Sequence, residues 1–152
     1  MRAELENKLY AAYPALYAQH TLPMDQTNMC WGFQCGDGWY NLIDRLSFDI
    51  AKIIATNEQL DPKLCTVSCV KEKFGGLRFH IGCATEEILK LVSKASEESF
   101  KICETCGGEG TERTSEGWIR VICDSCEVAS QKKREEERMK LTTKYSEQME
   151  LD

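Results

Sequence analysis

Four cysteines in two matched pairs, Cys103-x2-Cys106 and Cys123-x2-Cys126, constrain this chain more than any other feature. Sixteen residues separate the pairs, a zinc-ribbon spacing. Each C-x2-C sets two thiolates on one tight knuckle. The residues between, Thr111 to Ile122, suit a short hairpin that brings the knuckles together. Four thiolates then complete a tetrahedral shell around Zn²⁺. Such a shell leaves no open position for water or substrate, so the expected metal is a single structural zinc.

The chain has 152 residues, 42% of them hydrophobic, which suits one compact domain with a small appendage. Nine cysteines without an apolar leader segment in MRAELENKLY point to a reducing cytoplasm, with thiols free or on metal; a disulfide framework is the alternative. No apolar run approaches the roughly 20 residues of a membrane span. The formal charge of −6 disfavours nonspecific duplex DNA binding and leaves room for a local cationic pocket.

Residues 2–20 read as a helix broken near Tyr13 by Pro14. Residues 21–36 read as a loop, with Asp37 as cap of an amphipathic helix that runs to about Asn57. Two strands are expected at Leu64–Lys71 and Leu77–Gly82, joined by a turn at Phe74-Gly75-Gly76. Thr85 can cap a third helix ending near Phe100. The architecture is α+β: helices around a small antiparallel hairpin, with a zinc ribbon and a charged helical tail. The expected division is 1–100 body, 101–127 ribbon and 128–152 tail. Trp118, Ile119 and Val121 are expected to pack the ribbon hairpin on the body.

Two further stretches carry candidate chemistry. In VSCVKEKFGGLRFHI, Lys71, Lys73, Arg78 and His80 gather at one hairpin end, and Gly75-Gly76 frees backbone N–H groups. Together they could hold a phosphate or carboxylate. No Gly-Lys-Ser/Thr follows, so this is not a P-loop. In MCWGFQCGDGWY, Trp31 and Trp39 could stack a base beside Asp37, or plug a small core. Cys30, Cys35, Cys65, Cys69 and Cys83 read as small buried hydrophobes. A second thiolate site from the first four is the alternative. The first knuckle, CETCGGEG, is locally similar to the cysteine-rich repeat of DnaJ, but the second lacks its glycines and only one knuckle pair exists.

Taken together, MCWGFQCGDGWYNLID, VKEKFGGLRFHI and EESFKICETCG resemble a family of small proteins encoded by bacteriophages and prophages. The resemblance covers roughly residues 12–127. It implies an accessory phage product acting in the bacterial cytoplasm, and brings no activity with it. The leading expectation is a non-enzymatic zinc protein that binds and modulates a host factor, counter-defence and the sequestering of a nucleotide signal included. Its partners would be a host protein or a phosphorylated small ligand. One alternative is a nucleic-acid-binding regulator. The other is a hydrolase or transferase using Asp37, His80 and Cys35, which requires those side chains in one cleft.

Overall fold

The computed structural model describes residues 1–83, 85–115 and 117–149. Its described residues form four α-helices, a three-stranded sheet and a two-stranded sheet, an α+β arrangement. They divide into two compact units, Met1–Ile122 and Cys123–Asp152.

Helix α1 (Ala3–Ala12) ends at Tyr13, before the proline that cannot continue it. A 3-10 turn follows at Ala18–Thr21. The segment expected to be a plain loop contains strand β1 (Phe33–Gln34), which pairs in parallel with Val70 and Lys71. Helix α2 (Tyr40–Thr56) buries Leu42, Ile43, Leu46 and Ile50 at helical spacing. Ser47 on the same face is fully buried, and its hydroxyl meets that of Tyr17 at 2.6 Å.

Strands β2 (Val67–Lys73) and β3 (Gly76–Ile81) form the predicted antiparallel hairpin. Val70, Leu77 and Phe79 turn into the core with Phe33, Trp39 and Ile88. Helix α3 (Glu86–Ser99) starts where Thr85 accepts the Ile88 N–H at 3.2 Å. Its Ser96 and Ser99 hydroxyls reach the outer side of β3. Ser99 accepts the Leu77 N–H at 2.9 Å, and Ser96 donates to the Leu77 carbonyl at 3.0 Å. Two polar groups of an edge strand are thereby satisfied by side chains.

Strands β4 (Thr111–Ser115) and β5 (Trp118–Ile122) form the ribbon hairpin. Val121 is buried, as expected of a residue packing the ribbon. Trp118 is not: it is 73% exposed, because it sits at the hairpin tip beside Gly117. In the second unit, α4 (Asp124–Met149) begins inside the second knuckle. Its surface is largely charged and carries a Lys133–Glu137 pair. Glu127 is the buried exception, accepting hydrogen bonds from Gln131 and Arg134. No described helix is long and apolar enough to cross a membrane.

Cys65 and Cys83 correct the expectation that all thiols are free or metal-bound: they form a disulfide. The register Val67↔Ile81 brings the open ends of β2 and β3 together, leaving the two Cα atoms 4.6 Å apart, inside the range a disulfide spans. This pairing removes Cys65 from any second thiolate cluster and departs from the thiol state expected of a reducing cytoplasm.

The β2–β3 turn is two residues long, Phe74-Gly75, both left-handed with φ of 54° and 76°. A turn with both central residues at positive φ matches the twist of a hairpin, but its first position favours Asn, Asp or Gly. Phenylalanine there costs about 1 kcal/mol of backbone strain. Burial does not offset it, since Phe74 is 65% exposed. Phe74→Asn is therefore expected to raise stability by about 1 kcal/mol in a denaturant titration. A fall in the midpoint would show that the ring supports the fold after all.

Candidate metal centre and its seat

The sulfurs of Cys103, Cys106, Cys123 and Cys126 lie within 4.8 Å of one another. Tetrahedral coordination with metal–sulfur bonds of about 2.3 Å needs sulfur–sulfur edges of about 3.8 Å, so small side-chain adjustments close this shell. The four cysteines can hold one metal ion. Among the described residues, this is the one group of Cys, His, Asp or Glu side chains placed to do so. Cys30, Cys35, Cys65 and Cys69 do not converge on a second site. Cys30 donates its S–H to the Thr27 carbonyl, while Cys35 and Cys69 are buried.

The first knuckle is shaped by its own backbone. Gly107 lies at φ 80° and donates its N–H to the Cys103 carbonyl at 2.8 Å. The Cys103 N–H bonds to the Gly108 carbonyl at 2.7 Å. The Glu104 N–H bonds to the Val121 carbonyl at 3.0 Å, tying the knuckle to β5. Within this knuckle Cys103 is buried and Cys106 is exposed. In the second unit, the Ser125 hydroxyl lies 3.2 Å from the Cys123 sulfur.

The loop Cys35–Trp39 proves to be the seat of the first knuckle. Gly38 donates its N–H to the Glu104 carbonyl at 2.8 Å, and Gly36 donates to the Glu104 carboxylate at 2.8 Å. The Trp39 indole N–H donates to the Ile102 carbonyl at 3.1 Å. A Cβ on Gly36 would strike the Glu104 carbonyl, and one on Gly38 would strike the Cys103 carbonyl and the Gly107 nitrogen. Glycine is required at both positions because backbone lies on backbone there. Burial pushes the Glu104 carboxyl above its ordinary range, against the pull of the Gly36 hydrogen bond.

This arrangement corrects two readings of the aromatic loop. Trp39 is fully buried and cannot stack a ligand base. Asp37 makes no side-chain cap; Gly36 holds the cap position of the short 3-10 turn Asp37–Trp39. Both Asp37 carboxylate oxygens are instead taken by Arg2, one by its backbone N–H at 2.7 Å and one by its guanidinium. Burial raises the Asp37 carboxyl, but these bonds and the Arg2 charge outweigh it and hold the group below the ordinary carboxylate range. Trp31 is exposed.

The hairpin residues divide likewise. Lys71 faces Arg78 across the strands, and Cys69 faces His80. Alternation places Lys71, Lys73, Arg78 and His80 on one sheet face, opposite Leu77 and Phe79. The glycine pair is not an open anion nest. The Glu72 carboxylate already accepts the Gly75 N–H at 2.6 Å. A Cβ on Gly76 would lie 2.5 Å from the Phe100 ring, and one on Gly75 would lie 3.1 Å from Ile119. Close packing explains both glycines. His80 is exposed on β3, Asp37 is held by Arg2 and Cys35 is buried; no hydrogen bond links any two of them among the described residues. The chain matches no family model, no curated protein and no solved structure.

Burial pushes the Cys35 thiol up to about 12. Its reactive thiolate therefore appears only as pH rises toward that value, and at pH 8 it is about one part in 10⁴. Iodoacetamide at pH 8 is expected to leave Cys35 unmodified in the folded protein, as read by peptide mass mapping; rapid labelling would restore it as a nucleophile. Gly38→Ala should unseat the first knuckle, lowering stability by about 2 kcal/mol and speeding metal loss to a chelator. Unchanged metal retention would separate the seat from the site.

Proposed function

We propose that the protein is a structural-zinc binding protein that acts by holding a host factor, in the phage accessory setting that the sequence blocks imply. The tetrathiolate cluster carries this reading. Four thiolates are soft ligands that favour zinc over the hard cations, and a closed tetrathiolate shell organises a fold without offering a coordination site to a substrate. The remaining candidate chemistry supports binding over catalysis. The Asp37 carboxylate is held by Arg2, and Cys35 is a buried thiol raised to about 12. Counter-defence is the role within this reading that the resemblance favours, and a host protein or a nucleotide signal would be the factor held.

The test combines metal analysis with capture. Purified protein should carry close to one zinc per chain, and Cys106→Ser should lower both zinc content and thermal stability. Tagged wild type should retain a specific factor from infected cells that Cys106→Ser retains poorly. Full zinc in the variant would mean that other ligands hold the metal. Equal and negligible retention by both would remove the binding role.

A further inference from the structure

Two exposed aromatic side chains line one cleft where the tips of the two hairpins approach. Phe74 at the β2–β3 turn and Trp118 at the start of β5 line one cleft of about 340 Å³, with Glu72, Lys73, Gly117 and Ile119. This volume lies at the small end of ligand pockets. The close approach of Gly75 to Ile119 sets the two tips side by side. The Lys73 ammonium stands 5.3 Å from the centre of the Phe74 ring, at the margin of the cleft.

Burial explains neither aromatic. Trp118 is among the most exposed large side chains of the described residues. Phe74 occupies a left-handed turn position that favours a small polar residue, and its ring is mostly in solvent. Strain retained at an unburied side chain points to use of that side chain. Of the charged residues on these two strands, Glu72 and Lys73 line the cleft, and the cations share one sheet face beside it. Lys71, Lys73, Arg78 and His80 lie along one face of β2 and β3, and no carboxylate of either strand shares that face. Glu72 lies on the opposite face, and its carboxylate is turned onto the Gly75 N–H. Lys71 and Arg78 stand directly opposite each other, a like-charge pair that an anion between them would relieve. An aromatic cleft thus adjoins a cationic strip within an acidic protein.

We propose that this cleft binds a nucleotide unit, with the base held by Phe74 and Trp118 and the phosphate by Lys73, Lys71 and Arg78. The inference rests on the reading of the chain as a binding protein and names the ligand class. It moves base stacking away from Trp31 and the buried Trp39 to two residues that open on one cleft. Stacking tolerates any base, so affinity depends on the phosphates and falls with salt. A free nucleotide and one unit of a single strand offer the same chemistry, and the experiment separates them.

Zinc-loaded full-length protein is titrated at low and moderate salt with a panel of nucleoside mono-, di- and triphosphates and cyclic dinucleotides. Parallel titrations use fluorescent single-stranded DNA and RNA 12-mers. Wild type, Phe74→Asn, Trp118→Ala, Lys73→Gln and the remote Phe48→Ala are compared. Binding by wild type is expected in one arm. Phe74→Asn and Trp118→Ala should each weaken it roughly 10-fold, the change expected from losing one base–aromatic stack. Lys73→Gln should flatten its salt dependence, and Phe48→Ala should leave it unchanged. Phe74→Asn keeps this readable, because that variant should fold at least as well as wild type. Tightest binding to a free nucleotide makes the cleft a nucleotide trap, and tightest binding to a 12-mer makes it a single-strand reader; either supports the proposal. No binding in any arm, or equal affinity for wild type, Phe74→Asn and Trp118→Ala, overturns it. So does a captured host protein whose retention needs Phe74 while nucleotides bind nowhere. In that case the binding reading stands and only the ligand class is wrong.

Discussion

Backbone laid directly on backbone, at Gly36–Gly38 against Cys103–Gly107, is the contact on which the rest of the first unit depends. It leaves no room for a side chain on either glycine. Through Glu104, the same few atoms reach the loop by side chain and carbonyl and reach β5 by the N–H. Trp39 closes the contact from below, buried in the core and bonded to Ile102. The first cysteine pair is therefore positioned by contacts with the body as well as by its own knuckle. A metal shell built on such a half needs to order fewer groups on binding, so less of its affinity is spent on folding.

Much of this was legible from residue pattern. The spacing of Leu42, Ile43, Leu46 and Ile50 marked α2, Thr85 marked the start of α3, and the two C-x2-C pairs marked the metal cluster. These signals are local, because one turn of helix or one knuckle is decided by near neighbours. What escaped was long-range. A two-residue parallel strand at Phe33 carries too little pattern to announce itself, since its partner lies 37 residues on. The Cys65–Cys83 disulfide follows from hairpin register, which spacing alone does not define. The role of Gly-Asp-Gly-Trp was hidden for the same reason. Its glycines look like turn residues until the knuckle that rests on them is known.

The two aromatic-rich regions exchange roles once burial is known. The tryptophan that looked like a platform, Trp39, is core, and the one that looked like packing, Trp118, is surface. Sequence cannot separate these cases because both tryptophans directly follow a glycine at the start of a regular element. Phe74 was passed over inside a charged turn, yet its positive φ makes it the residue of that hairpin least explained by folding.

The two serines of α3 that bond to Leu77 restrict how any partner can approach. Backbone groups at the margin of a sheet are common grips for extended peptides, which bind by becoming one more strand. On this sheet, a guest strand beside β3 would have to break the Ser96 and Ser99 bonds and push α3 aside. The other margin, β1, is only two residues long. Recognition is thereby driven away from main-chain zippering and onto side chains. Selectivity then rests on shape and charge at the hairpin ends, which can change by point substitution without disturbing the sheet.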